Sequence, residues 1–257
     1  MSEKTVKVDK LFVSVSSNAE EMGVNAADAI ADAIRSVAAR KERIRMMFAA
    51  APSQDTTLAA LLEIADLPWQ RVDAFHMDEY VGITEDKSQS FRNFLKRSIF
   101  SKKPFGSVNY IKGDAADADN TAKEYAALLQ NPMDIIVLGV GENGHIAFND
   151  PPEARFDDPQ LTRVITLSER SRTQQVNDGC FEELEEVPRC AITVTIPAFM
   201  QAEQLICVVP NNRKAEAIRN MLDKGVSETC PASILRTHAD AKLFLDAESA
   251  SLSEILK

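Results

Sequence analysis

Short apolar, β-branched runs alternate with longer stretches of helical period along this chain, and that alternation limits the fold more than any other feature. The runs fall at 44–50, 71–77, 108–111, 133–140, 164–167, 191–194, 204–209 and 242–245. Stretches with helical apolar spacing occupy 18–40, 56–64, 88–99, 118–129, 170–179 and 213–223, with shorter helices expected at 197–201, 231–236 and 247–256. Strand-length and helix-length segments in turn predict repeated βα units around a mainly parallel sheet, that is, an α/β three-layer αβα sandwich. Across 257 residues no internal repeat, low-complexity tract or Gly/Ser linker marks a boundary, so one domain spanning 1–257 is expected.

In such a sheet ligands settle beyond the carboxyl ends of the strands, which singles out four loops: AAPSQD at 50–55, DEYVG at 78–82, GENGHIAFND at 141–150 and PNNRK at 210–214. Gly141 and Gly144 of the third, with Gly139 just before it, have the spacing G-x-G-x-x-G. A dinucleotide fingerprint of this kind must open a helix whose N-terminus receives a pyrophosphate. Here Pro151 and Pro152 follow within eight residues, and proline lacks the amide donor and restricts the residue before it. The stretch reads instead as a catalytic loop that presents His145, two side-chain amides and Asp150.

Adjacent side chains on an extended segment point to opposite sides, so only one of Asp78 and Glu79 can face a crevice. Asp78 with His145 and Asp150 supplies two carboxylates and an imidazole, the parts needed for proton transfer near neutral pH. Asn211, Asn212, Arg213 and Lys214 stand at a strand-to-helix junction, where free amides and cations favour an anion, and Arg170 and Arg172 stand at another. A solvated acidic turn, a structural histidine and ordinary first-turn charges are the plain alternatives for these segments.

With 29 basic against 39 acidic residues, net −10, the chain is a poor match for nucleic acid or an anionic membrane, and a small molecule is the expected partner. Cys180, Cys190, Cys207 and Cys230 are widely and irregularly spaced, which suggests neither a zinc site nor a disulfide framework. Charges run through the first ten residues, and no run of apolar residues is long enough to span a membrane, so a cytoplasmic location is expected.

The segments Asp78-Glu79-Tyr80-Val81-Gly82 and Gly141-x-Asn143-Gly144-His145-Ile146-Ala147-Phe148-Asn149 resemble the glucosamine-6-phosphate deaminase (isomerase) family, as do R-x-x-T-L-x-x-x-x-R at 163–172 and the Lys214 loop. The related 6-phosphogluconolactonases share the fold and a Gly-His loop, but the His-Ile-Ala-Phe-Asn continuation favours the deaminase branch. The resemblance implies a Rossmann-like fold and a cofactor-free reaction: an amino-sugar phosphate opens its ring, shifts a proton from C2 to C1 and loses ammonia. It implies Asp78 as the base, His145 as the ring-opening acid/base, and Asp150 and Asn143 as the groups that assist and orient the histidine. It further implies a phosphate held by Arg172, Lys214, Gly144 and the Ser53–Gln54 loop, and a homo-oligomer by analogy.

Two departures stand out. The family's Thr-Gly-Gly-Thr-Pro is replaced by Ala51-Pro52-Ser53-Gln54-Asp55, which offers the anion fewer close amides, and Asp150 stands where Glu is common. A galactosamine derivative, lactone hydrolysis or a sugar-phosphate sensor without turnover are the alternatives these departures leave open.

Overall fold

The computed structural model describes residues 4–151 and 153–257. Its first elements, β1 (Lys4–Val8) and β2 (Leu11–Ser16), pair as an antiparallel hairpin with Val6 opposite Val13. The apolar alternation in the first sixteen residues is short and charge-interrupted, which is why this hairpin does not stand out in the sequence. After it, Asn18 caps α1 (Ala19–Ala38): its side chain accepts from the Glu21 amide at 2.8 Å, and Glu20 and Glu21 complement the helix dipole. Met22, Ala26, Ile30, Ile34 and Val37 form the buried stripe of that helix.

The βα alternation then proceeds through β3 (Ile44–Phe48), α2 (Asp55–Glu63), β4 (Val72–His76), β5 (Asp78–Tyr80), α3 (Phe91–Leu95), β6 (Ser107–Asn109), α4 (Ala118–Leu128) and β7 (Ile135–Leu138). It continues with β8 (Thr162–Thr166), α5 (Glu169–Asn177), β9 (Cys190–Val194), α6 (Ile196–Met200), β10 (Gln204–Val209), α7 (Ala215–Asp223) and β11 (Ala241–Asp246). The main sheet has the order β1-β2-β11-β10-β7-β3-β4-β6, and every pairing except the β1–β2 hairpin is parallel.

All four residues of β7 are buried, Ile135 and Val137 in one apolar layer and Ile136 and Leu138 in the other. Helices cover both faces of a central parallel strand, so its sequence is a continuous apolar run rather than an alternation. This is the expected three-layer sandwich.

Four expectations need correction. The runs at 164–167 and 191–194 do not join the main sheet: β9 pairs antiparallel with β8 on one side and with β5 on the other, in a separate three-stranded sheet. The segment 247–256 forms turns rather than a helix; the Ser249 amide and hydroxyl bond back to Asp246, local bonding that competes with a helical ladder. The helix expected over 88–99 begins at Phe91 and widens into a π turn at Lys96–Phe100. The one expected from 213 opens with a 3₁₀ turn at Asn212–Lys214.

Between β4 and β5 the chain leaves one sheet for the other at Met77, and His76 fastens that bend. Its Nε2 accepts from the Ile111 amide at 2.8 Å, which leaves Nδ1 protonated and donating to the Asp78 carbonyl at 2.9 Å. Burial drives the His76 pKa down to about 3, against a weaker opposing effect of the Asp78 carbonyl. The unfolded chain therefore binds this proton first, so the contribution is complete above about pH 6.5 and is lost as pH falls toward 3. Native stability is expected to drop by ~2 kcal/mol between pH 7 and 5 on this account. Urea midpoints at the two pH values check it: His76→Gln should lose this part of the slope, whereas equal slopes in the two proteins would refute it. Asp78 and Glu79, both raised by burial, act in the opposite sense in both proteins.

Candidate active site

The carboxyl ends of β3, β4, β7 and β10 open on one cleft, whose free space is about 510 Å³ with its open mouth included. Ser53, Gln54, Asp78, His145 and Lys214 all line it, together with Phe91, Phe148, Gln174 and Gln175. Loops far apart in sequence converge here because β7 lies between β3 and β10, the point at which the strand order turns outward in both directions.

Asp78 and Glu79 diverge as extended neighbours must. Glu79 turns away from the cleft, and its carboxylate accepts from Ser90 Oγ at 2.8 Å and from the Phe91 and Arg92 amides at 3.1 and 3.0 Å. The Asp78 carboxylate faces the cleft with no hydrogen bond or ion pair among the described residues. Burial, with Glu79 beside it, raises its pKa well above the usual carboxylate range. A carboxylate so placed is a strong base on a substrate that excludes water.

The 141–150 loop builds the imidazole's seat. His145 Nδ1 lies 2.7 Å from Asn143 Oδ1 and 3.0 Å from Asp150 Oδ1, both acceptors, so Nδ1 carries the proton and Nε2 is left for substrate. Asn143 is the adaptor: its Nδ2 donates to Asp150 Oδ1 at 2.7 Å while its Oδ1 takes the ring proton. Burial acts to raise the Asp150 pKa, and the His145 charge with the hydrogen bonds from His145, Ser171 and Asn143 outweighs it, holding the group at about 2. The shorter acid thus reaches its histidine.

The glycines have a steric explanation. A Cβ on Gly141 would overlap the His145 ring, which packs directly on the Gly141 backbone. Gly144 has φ +84°, and a Cβ there would stand 2.7 Å from Cys230 Sγ. The G-x-G-x-x-G spacing makes room for an imidazole and does not open a helix.

Two of the residues expected at the phosphate are engaged elsewhere in this structure. The Gly144 amide is already bonded to the Gly141 carbonyl at 2.9 Å inside the turn, so it is not free for an anion. Arg172 lies outside the cleft lining; its guanidinium donates to the carbonyls of Leu184 and Val187 and ties down the chain after α5. Arg170 lies against the Glu142 carbonyl and Arg213 pairs with Asp178 at 3.0 Å.

Lys214 alone of the expected cations lines the cleft. It is buried, and its ammonium has no hydrogen bond or ion pair among the described residues. Burial lowers its pKa, while the more distant Asp178 and Glu142 oppose that shift. Gln54 follows β3 at the edge of the cleft; its Nε2 reaches the Val208 carbonyl at 3.3 Å and its Oε1 is buried without a partner among the described residues. Ser171, Gln174, Gln175 and His76 are missed by sequence reasoning. The capping pattern at Ser168 and Ser171 marks the start of α5, and the amphipathic seam of that short helix is too weak to show which side chains face the site.

An unpartnered carboxylate, an oriented imidazole and a buried cation around one cleft at the switch point of an α/β sheet define an enzyme that moves protons on a small anionic substrate. Comparison with known proteins narrows the class. The family model described as glucosamine-6-phosphate isomerases/6-phosphogluconolactonase matches residues 17–244, and the chain belongs to that family. A glucosamine-6-phosphate deaminase of Enterococcus faecalis is 33% identical over 235 residues, 91% of this chain and 96% of the relative. One from Bacillus thuringiensis is 37% identical over 187 residues, 72% of this chain and 70% of the relative. The solved structure of a monomeric glucosamine-6-phosphate deaminase superposes with TM-score 0.86 at 28% identity, covering 95% of this chain and 99% of that one. A 6-phosphogluconolactonase from Trypanosoma brucei, 18% identical with TM-score 0.76 over 96% and 99% of the two chains, shares the fold.

Proposed function

We propose that this chain is an amino-sugar-phosphate isomerase/deaminase that converts glucosamine 6-phosphate, or a close isomer, to a ketose phosphate and ammonia. The observation that carries the proposal is the pairing, in one cleft, of an unpartnered Asp78 carboxylate with a His145 whose Nδ1 is occupied. His145 Nε2 takes the proton of the C1 hydroxyl and delivers it to the ring oxygen, which opens the sugar. Asp78 removes the C2 proton from the open chain as the aldehyde oxygen gains a proton, and returns it to C1 as the amine gives one up, leaving a C2 imine. Water then adds to the resulting C2 imine and ammonia leaves, so the sum is amino sugar plus water giving ketose plus ammonia. Proximity and proton transfer account for these steps.

Lys214 holds the anionic end, supported by Ser53 and Gln54 in place of a glycine loop. Lys214→Met is expected to raise KM for a phosphorylated amino sugar by about 10–100-fold, the value of one charge-assisted hydrogen bond, with a smaller change in kcat. An unchanged KM would place the anion elsewhere. The reaction itself is tested by ammonia release from glucosamine 6-phosphate, galactosamine 6-phosphate and the unphosphorylated sugars, with 6-phosphogluconolactone run beside them. Release from a phosphorylated amino sugar supports the reading; faster loss of the lactone than of any amino sugar overturns it. Size-exclusion chromatography with light scattering reads whether the chain assembles into the oligomer its resemblance suggests.

A further inference from the structure

We propose that Ser171 is a positioning residue for the reaction assigned above, its hydroxyl holding the Asp150 carboxylate and the His145 imidazole in register; the inference rests on that assignment. Ser171 stands in the first turn of α5 and is fully buried. Its Oγ donates to Asp150 Oδ1 at 2.6 Å and lies 3.3 Å from His145 Nδ1. Its own amide is capped by Ser168 Oγ at 3.0 Å, and one turn later Gln174 Oε1 accepts from the Glu142 amide at 2.9 Å. The helix that walls the cleft is thereby bonded to the catalytic loop through Ser171 and Gln174, beside the contact of Arg170 with the Glu142 carbonyl.

The Asp150 carboxylate is held asymmetrically. Asn143 Nδ2, Ser171 Oγ and His145 Nδ1 all converge on Oδ1, while Oδ2 is buried without a partner. Rotation about the terminal torsion, which has a broad minimum, would satisfy the orphaned oxygen at the expense of the imidazole. Two neutral donors on the same oxygen oppose that rotation, and Asn143 supplies one of them from the same loop. Ser171 supplies the other from a different element, so it couples the position of α5 to the orientation of His145.

The charged groups around the ring are Asp150 behind it, Asp78 and Lys214 across the cleft, and Glu142 and Asp178, which act on Lys214. Of these, Ser171 bonds only Asp150. Losing its hydroxyl takes an acceptor from beside Nδ1–H and frees the carboxylate to turn, and both changes weaken the hold on the imidazolium.

The test uses the full chain with Ser171→Ala and Ser171→Thr, following the His145 ring by NMR titration, with the resonance assigned through His145→Gln. Ser171→Ala is expected to move the His145 titration at least half a pH unit lower and to reduce kcat about 10-fold with KM within twofold; Ser171→Thr should restore both. A folded Ser171→Ala protein whose His145 titrates as in the wild type, or at higher pH, overturns the proposal. Should Ser171→Ala fail to fold, Ser171→Cys keeps the volume with a weak donor and is read by the same titration. Wild-type protein that releases no ammonia from any substrate defeats the assigned reaction instead, and the titration still reads the role of Ser171 independently.

Discussion

Asp78→Asn is expected to lower ammonia release at saturating substrate by about 10³-fold, in the middle of the range for loss of a positioned general base, while leaving the thermal midpoint unchanged or higher. The two halves of the prediction share one cause. The carboxylate is buried at the cleft with no donor to satisfy it among the described residues, and burial raises its pKa well above that of an ordinary aspartate. Ionisation at that position opposes folding: a carboxyl whose folded pKa lies above its unfolded one stabilises the native state only at low pH and loses that contribution as pH rises. An amide of the same shape removes the cost and the base together. The same shift sets the acid limb of kcat against pH, which should lie closer to neutrality than an unperturbed aspartate allows and should disappear in the variant. Turnover in Asp78→Asn within tenfold of wild type would remove Asp78 from the mechanism, and a marked loss of stability would show that its carboxylate has a structural partner.

Much of this was legible in the sequence where one residue's neighbours along the chain decide its environment. The continuous apolar run at β7 identifies a doubly covered parallel strand, and the extended geometry at 78–79 already requires one carboxylate to leave the cleft. The three glycines are informative in the opposite way: their spacing suggests a nucleotide, and the prolines behind them remove the helix a nucleotide needs. What stayed hidden depends on contacts between distant segments. The β8–β9–β5 sheet is invisible because each strand pairs antiparallel with a partner more than twenty residues away. Arg172 has the right motif position, but the carbonyls that occupy its guanidinium belong to a turn twelve to fifteen residues further on. Ser171 and His76 are unremarkable in sequence, since a serine in a first turn and a histidine at the end of a strand acquire their roles only from Asp150 and Ile111.

Glu79→Ala is expected to destabilise the protein by about 3–5 kcal/mol, the range for breaking a buried ion pair by removing one partner. Its carboxylate, fully buried, accepts from the Tyr80, Phe91 and Arg92 amides and from Ser90 Oγ, and pairs with Arg92 Nε at 3.2 Å. It therefore serves as the N-terminal cap of α3, whose own preceding residue, Ser90, makes no side-chain cap bond. Alanine would leave three amides and a guanidinium that is itself buried, with Asp114 and the Ile83 carbonyl as the remaining partners for Arg92 among the described residues. For a chain of this size each kcal/mol lowers the melting temperature by roughly 2–4 °C, so a fall of roughly 6–20 °C is expected in calorimetry. Because Phe91 at the start of α3 lines the cleft, KM should rise at temperatures where the variant is still folded, whereas the Asp78 chemistry remains and kcat should stay within tenfold of wild type. The adjacent carboxylates thus separate cleanly, Asp78→Asn removing turnover at undiminished stability and Glu79→Ala removing stability with the base still in place. A Glu79→Ala protein as stable as wild type would mean that water or a rearranged 90–92 segment satisfies those donors, and that the tie between β5 and α3 lies elsewhere.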